Sequence, residues 1–221
     1  MQQIEIKVEN DHIQRITSAK PLAAISELIW NAYDADAREV KVELERGQLT
    51  ELGLIRIVDD GTGISADEVE TFFQSLGGSW KKRAVKSSGG RSIHGEKGQG
   101  RFKAFALGER VTWISHNAGK KFSISGDKSN LKQFSISETV PATNTGCTVE
   151  IENVVRDFEI WTETRRRWGV RDVFALQLYE DPNFRINYDG EDIDAREAIR
   201  DVTPYEIKAV TEEGHEYNAT L

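Results

Sequence analysis

The chain has 221 residues, of which 38% are apolar and 30% charged, and a net charge of −8. That is enough length and apolar content for one globular domain, and it excludes an intrinsically disordered chain. No run approaches the ~18 consecutive apolar residues of a membrane helix, the acidic start (Glu5, Glu9, Asp11) predicts no signal peptide, and a single cysteine, Cys147, excludes an internal disulfide and a Cys-rich zinc site.

A reducing, cytoplasmic setting is expected, and the four histidines show no metal-ligand spacing. The charge is unevenly placed. Between 79 and 103 stand Lys81, Lys82, Arg83, Lys86, Arg91, Lys97, Arg101 and Lys103 against the lone acid Glu96, a local +7. Such asymmetry marks either an anionic partner or a solvated face.

In chain order, alternation at 4–8 (IEIKV) predicts a first strand. Pro21 suits the first turn of a helix reaching about Tyr33. Strands are expected at 39–45 (EVKVELE) and 54–58 (LIRIV), the second closed by Asp59, Asp60 and Gly61. Ser65 then heads a helix to about Leu76, with Glu68 completing a capping box. From 77 to 100, seven glycines and most of the basic cluster predict a long functional loop. A helix at 101–107 is expected to end at Gly108, followed by strands at 110–115, 121–125 and 148–152. A second long helix covers 161–179, with Trp161, Trp168, Phe174 and Leu178 as core or subunit-packing residues and Thr164, Arg165, Arg166 and Arg167 as a solvated face or a contact for nucleic acid or phosphate. The tail reads as a strand at 185–188, a turn at Asp189 and Gly190, and a short helix from Asp194. Mixed elements without strict βαβ alternation favour a two-layer α/β sandwich, one sheet with helices over one face.

Three stretches carry chemistry. On the first helix, Glu27, Asn31 and Asp34 fall within roughly 60° of one another, opposite Leu22, Ile25, Leu28, Ile29 and Ala32. This is either a solvated polar face or the wall of a cavity. The lack of any Lys or Arg between Lys20 and Asp36, and the small flanking residues, favour the cavity. Its oxygens suit a hard cation or an attacking water. Next, Asp59-Asp60-Gly61-Thr62-Gly63-Ile64 ends a strand: a plain turn, or a buried carboxylate accepting from a ligand amine beside glycines that let a flat ligand approach. Last, Gly95-Glu-Lys97-Gly98-Gln99-Gly100-Arg101-Phe-Lys103 precedes a predicted helix, where free N–H groups and Lys97 could bind phosphate. It matches neither the P-loop nor the dinucleotide fingerprint.

Together, in order and within about 75 residues, these stretches resemble the motifs of the GHKL ATPases. That superfamily includes the B subunit of DNA gyrase, the ninety-kilodalton heat-shock chaperones, histidine kinases and MutL, with the MORC proteins as relatives. The resemblance covers about 20–152, and Gly146-Cys147-Thr148 is similar to its late Gly-Thr step, interrupted by Cys147. It implies a Bergerat fold: a mixed, mostly antiparallel sheet, helices on one face and a flexible ATP lid at about 77–100. By resemblance, Asn31 would bind Mg²⁺, Glu27 would activate water, and Asp34 would stand behind the metal. Asp59 would accept from the adenine amine, with Thr148 supporting it, Gly61 and Gly63 giving access and Ile64 packing on the ring. Lys97, Gly98, Gln99, Gly100 and Arg101 would cradle the phosphates.

The whole of 1–221 then reads as one ATPase domain, with 153–221 as its C-terminal edge, cut from the N-terminal part of a longer protein. The expected activity is slow, Mg²⁺-dependent ATP hydrolysis that closes the lid and drives homodimerisation, in a MutL- or MORC-like setting. A dimerisation switch without turnover, and chaperone-type or kinase-type catalytic domains, remain the alternatives. DNA held by the basic lid is the competing partner, and no membrane is expected. The densely charged lid is expected to be mobile without ligand. The lysine that relatives bring to the γ-phosphate from a following domain is not identifiable in this chain.

Overall fold

A computed structural model of the chain describes residues 2–5, 17–47, 52–69, 73, 86–94, 100–155, 163–199, 206–210 and 216–220. Strand β1 (Gln2–Glu5) precedes helix α1 (Pro21–Asp34), β2 (Glu39–Arg46) and β3 (Leu52–Asp59). Two 3-10 turns follow, Ala66–Glu68 and Gly100–Ala106, and then β4 (Gly108–Asn117), β5 (Lys120–Asp127), β6 (Gln133–Ile136), β7 (Val140–Pro141) and β8 (Gly146–Val154). Helix α2 (Glu163–Glu180), β9 (Arg185–Tyr188) and β10 (Glu191–Asp192) complete the main body, while β11 (Glu206–Val210) and β12 (Glu216–Thr220) pair with each other.

The main sheet runs β1-β6-β5-β4-β8-β3-β2-β9-β10, with β7 beside β5. Its neighbours are antiparallel except β2 and β9, which run parallel because α2 returns the chain to that edge. Alternation divides the faces. Val40, Val42, Ile55, Ile57, Val111, Trp113, Val149 and Ile151 are all buried under the helices. The other face carries Arg56, bonded to Glu150 at 3.0 Å and to Glu43 and Glu45, partners that hold its guanidinium charged. This is the two-layer architecture expected from the sequence.

Helix α1 begins at Pro21 and buries Ile25, Leu28, Ile29 and Ala32, with Leu22 packed at the edge of the core. It ends in a Schellman arrangement: Ala37 N–H donates to Ala32 O (3.1 Å) and Asp36 N–H to Tyr33 O (3.0 Å). Asp36 takes the left-handed position, at φ 61°, which glycine usually fills and which Asp tolerates.

Several expectations are corrected. The segment 100–106 is a 3-10 turn and not an α-helix; Gly100, Phe102, Ala104, Phe105 and Ala106 are buried around it, and so short a wedge takes the tighter winding. Ser65 makes no side-chain cap bond, and a 3-10 turn follows it. The rest of the helix expected up to Leu76 lies outside the described residues, apart from Val69 and Phe73, both buried. Of the residues expected in the core or in subunit packing, Phe174 is in the core and Trp168 is 49% exposed, about 120° around α2 from Phe174, so the core half of that expectation does not hold for Trp168. Leu178 packs at the core edge, and Trp161 lies outside the described residues. Strands β6, β7, β10 and β11 were not foreseen. Among the described residues, no helix is long and apolar enough to cross a membrane.

An aromatic cluster closes one end of the core. Phe134, fully buried, lies 5.2 Å from Phe73, 5.8 Å from Phe102 and 6.2 Å from Trp113 by ring centroids. Replacing it with alanine leaves a ring-sized cavity, so Phe134→Ala should cost about 3–5 kcal/mol. Urea denaturation should show a lower midpoint at unchanged slope; a loss under about 1 kcal/mol would mean that the cluster does not carry the core.

Candidate active site

The ends of three adjacent strands form one side of the site. Asp59, the last residue of β3, pairs with Cys147 of β8, which pairs in turn with Ser115 of β4. Asp59 Oδ1 accepts from the N–H groups of Gly61 (2.9 Å) and Cys147 (3.2 Å), and no hydrogen bond to Oδ2 is formed among the described residues. Burial pushes the Asp59 carboxyl up to about 6 against the opposing pull of those two bonds, and the charge of Asp60 adds to the rise. Asp60 turns the other way: its Oδ1 accepts from Arg38 N–H (2.7 Å) and Glu39 N–H (2.9 Å), which ties the loop to the start of β2.

The loop after Asp59 is clamped from β4. The buried Ser115 hydroxyl accepts from Ile64 N–H (2.7 Å) and donates to Ile64 O (2.9 Å), while Asn117 donates to Thr62 O (2.8 Å). Gly63 sits at φ 71°, and a Cβ there would press into the carbonyls of His116 and Gly146, so only glycine suits the position. Thr62 N–H donates to Ala35 O (2.8 Å), joining the loop to the end of α1.

Thr148 is placed differently from its expected role. It pairs with Val58, and strand alternation sends its side chain to the face opposite Asp59. Cys147 is the residue on Asp59's face; burial first, and the Asp59 charge second, keep its thiol protonated. The interruption in the motif thus occupies the position beside the carboxylate.

The polar stripe of α1 forms the other side. Asp34, with a side chain only 2% exposed, accepts from His94 N–H (3.0 Å) and faces the His94 ring at 3.4 Å. His94 stacks on Trp30 with centroids 4.0 Å apart. Asn31 is half-buried on the same stripe. Glu27 lies against the 100–106 turn: Lys103 Nζ is 2.6 Å from its Oε2, and a Cβ on Gly100 would overlap its carboxylate. Glu27 and Gly100 are thereby brought together. Arg101 lies over Phe102 (4.9 Å) and Phe73 (5.3 Å), and burial draws its guanidinium down to about 10. Lys97, Gly98 and Gln99 lie outside the described residues, as do 74–85.

The described part of the glycine-rich loop, 86–94, is bonded to the end of α1. Asp36 accepts from Ser87 Oγ (2.5 Å), Ser88 Oγ (2.8 Å) and Gly89 N–H (2.8 Å). Burial raises the Asp36 pKa, but those bonds and the Arg91 charge outweigh it and hold the group below its ordinary value. Arg91 donates to Tyr33 O and Ala37 O, pairs with Asp181 at 3.0 Å and lies 4.3 Å over the Tyr33 ring. Sequence reasoning missed Asp36, Arg91 and Lys103 in these roles. The only available signal was an acid standing where glycine usually ends a helix.

Residues 19–156 match the family model described as "Histidine kinase-, DNA gyrase B-, and HSP90-like ATPase". Among curated proteins, the chain is 38% identical over 69 residues to the DNA mismatch repair protein MutL of Halalkalibacterium halodurans, covering 29% of this chain and 10% of that protein. It is 27% identical over 149 residues to MutL of Desulforamulus reducens, covering 67% and 22%. The chain therefore spans about a tenth to a fifth of the length of these relatives. Among solved structures, the Aquifex aeolicus MutL ATPase domain complexed with ADP superposes with a TM-score of 0.50 at 18% identity, covering 86% of this chain and 72% of that one. The likeness shows the same fold.

The raised Asp59 pKa makes a pH prediction. A carboxyl whose folded pKa lies above its unfolded value stabilises the fold below about pH 4, and that contribution is lost as pH rises through about 6. The stability of Asp59→Asn relative to the unsubstituted chain should therefore increase across this interval, measured by denaturation at fixed ionic strength. A flat difference would mean that Asp59 is not buried in the ionised state.

Proposed function

The chain belongs to the histidine kinase-, DNA gyrase B- and HSP90-like ATPase family, and on that premise we propose that it binds ATP with Mg²⁺ and hydrolyses it slowly, as the motor module of a longer MutL-like protein. The observation that carries the reading is Asp59: a buried carboxylate at the meeting of three strand ends, with Oδ1 already occupied and Oδ2 available to an amine. Adenine presents such an amine, and guanine presents a carbonyl oxygen at the equivalent position. The Ile64 backbone is held by Ser115, and in this reading its side chain packs on the base; Gly61 and Gly63 let the loop pack tightly against Ala35, His116 and Gly146.

The phosphate end lies along α1 and the start of the 100–106 turn. Among the described residues, no group of three His, Cys, Asp or Glu side chains converges to hold a metal. Mg²⁺ prefers phosphate oxygens and water with few protein ligands. Asn31 would supply the protein oxygen, and the bound cation would neutralise charge on the triphosphate. Glu27 orients the attacking water and takes its proton. Asp34 holds His94 and in this reading stands behind the metal. Lys97, Gly98, Gln99, Gly100 and the backbone N–H of Arg101 complete the phosphate cradle in this reading, while the Arg101 guanidinium lies over Phe102 and Phe73 and Thr148, on the opposite face of the sheet, takes no part.

Glu27→Gln should bind ATP within a few-fold of the unsubstituted chain while phosphate release falls about 10²–10⁴-fold. Retained turnover would remove Glu27 from the chemistry. GTP should bind about tenfold to a hundredfold more weakly than ATP, the effect of an unpaired buried polar group; equal affinities would remove Asp59 as the reader of the base.

ATP-driven homodimerisation belongs to the same proposal. Arg91, Arg101 and Lys103 make contacts within the fold, which leaves less of the basic stretch for DNA. The solution mass should double with a non-hydrolysable ATP analogue. A persistent monomer would defeat the dimer switch, and DNA binding that weakens steeply with salt would support the nucleic-acid reading.

A further inference from the structure

A carboxylate that accepts a proton from water must be held in one rotamer with one oxygen accessible. Both oxygens of Glu27 are constrained by a single turn. Lys103 Nζ contacts Oε2 at 2.6 Å, a short charge-assisted bond. Oε1 occupies space that exists only because residue 100 is glycine. Gly100 and Lys103 are three residues apart in a 3-10 turn, where side chains at that spacing eclipse, so both face Glu27. The turn cannot shift easily, because Gly100, Phe102, Ala104, Phe105 and Ala106 are buried within it. The two charged side chains keep 25% (Glu27) and 31% (Lys103) exposure. So open a pair adds little to stability, and the value of the contact lies in the orientation it imposes.

We propose that Lys103 is a positioning residue of the hydrolytic centre: its ammonium pins Oε2 of Glu27, so that Oε1 meets the attacking water from the gap kept by Gly100. The proposal deepens the ATPase reading and rests on it. Lys103 acts through Glu27 and not on the nucleotide, so its removal should affect turnover and leave binding alone.

The test uses Lys103→Met and Lys103→Arg, each made in the unsubstituted chain and in Glu27→Gln, with kcat, KM and ADP affinity measured for every variant. Lys103→Met should lower kcat about tenfold to a hundredfold, the scale of a misplaced catalytic group, with KM and ADP affinity within about twofold. Lys103→Arg should recover most of the loss. In Glu27→Gln, removing the lysine should cost nothing further, the non-additivity expected of two residues acting as one unit. The proposal is overturned if kcat is unchanged or rises, if KM rises while kcat holds, or if the loss recurs in Glu27→Gln. Turnover absent from the unsubstituted chain, or surviving Glu27→Gln, would refute the ATPase reading and this proposal with it. Unchanged kcat in Lys103→Met alongside an inactive Glu27→Gln would refute the proposal alone.

Discussion

A helix whose polar stripe is roofed over, and not left to water, organises this molecule. The apolar side of α1 lies on the sheet, and its polar side lies under the 86–94 segment and the 100–106 turn. Polar groups taken from water need partners, and each partner found here is a structural tie. Asp34 holds His94, Glu27 holds Lys103, and Asp36 holds Ser87, Ser88 and Gly89. The same contacts that make the helix face tolerable indoors tie the 86–94 segment and the 100–106 turn to it.

The sheet contributes a different kind of constraint. At the ends of β3, β8 and β4 the ladder stops, and the last residues bond to the loop that leaves it. Asp59, Ser115 and Asn117 all serve this purpose, and Asp60 ties the loop back to β2. Because Ala35 O also accepts from Thr62 N–H, the end of α1 and the end of β3 are one rigid corner. A ligand lying between the two would meet a surface formed before it arrives, which keeps the ordering cost of binding low.

The basic stretch takes on a new meaning in this setting. Arg91 links the carbonyls at the end of α1 to Asp181 beyond α2, and Tyr33 and Gln177 join the same network. Part of the local positive charge thus answers acids and carbonyl ends of this chain, and a segment near the candidate phosphate site is mechanically connected to the far end of α2. That helix also shows Trp168, Leu176 and Tyr179 at the surface.

The amino-acid order alone determined much of this. Alternation placed β2, β3, β4, β5, β8 and β9 because a half-buried strand must put apolar residues on every second position, and Pro21 with the apolar stripe placed α1. Glu27, Asn31 and Asp34 were legible as one face, and Asp59 as a strand-end carboxylate, since both patterns are local. Only the tertiary structure decided what those groups touch. The pairing register put Cys147 beside Asp59 and turned Thr148 away, a difference of one residue that flips the side chain to the other face. Lys103 meets Glu27 across 76 positions, Arg91 meets Asp181 across 90, and Arg101 turns into an aromatic cluster. No spacing along the chain encodes such meetings, because they arise when separately formed elements pack and their buried polar groups must find one another.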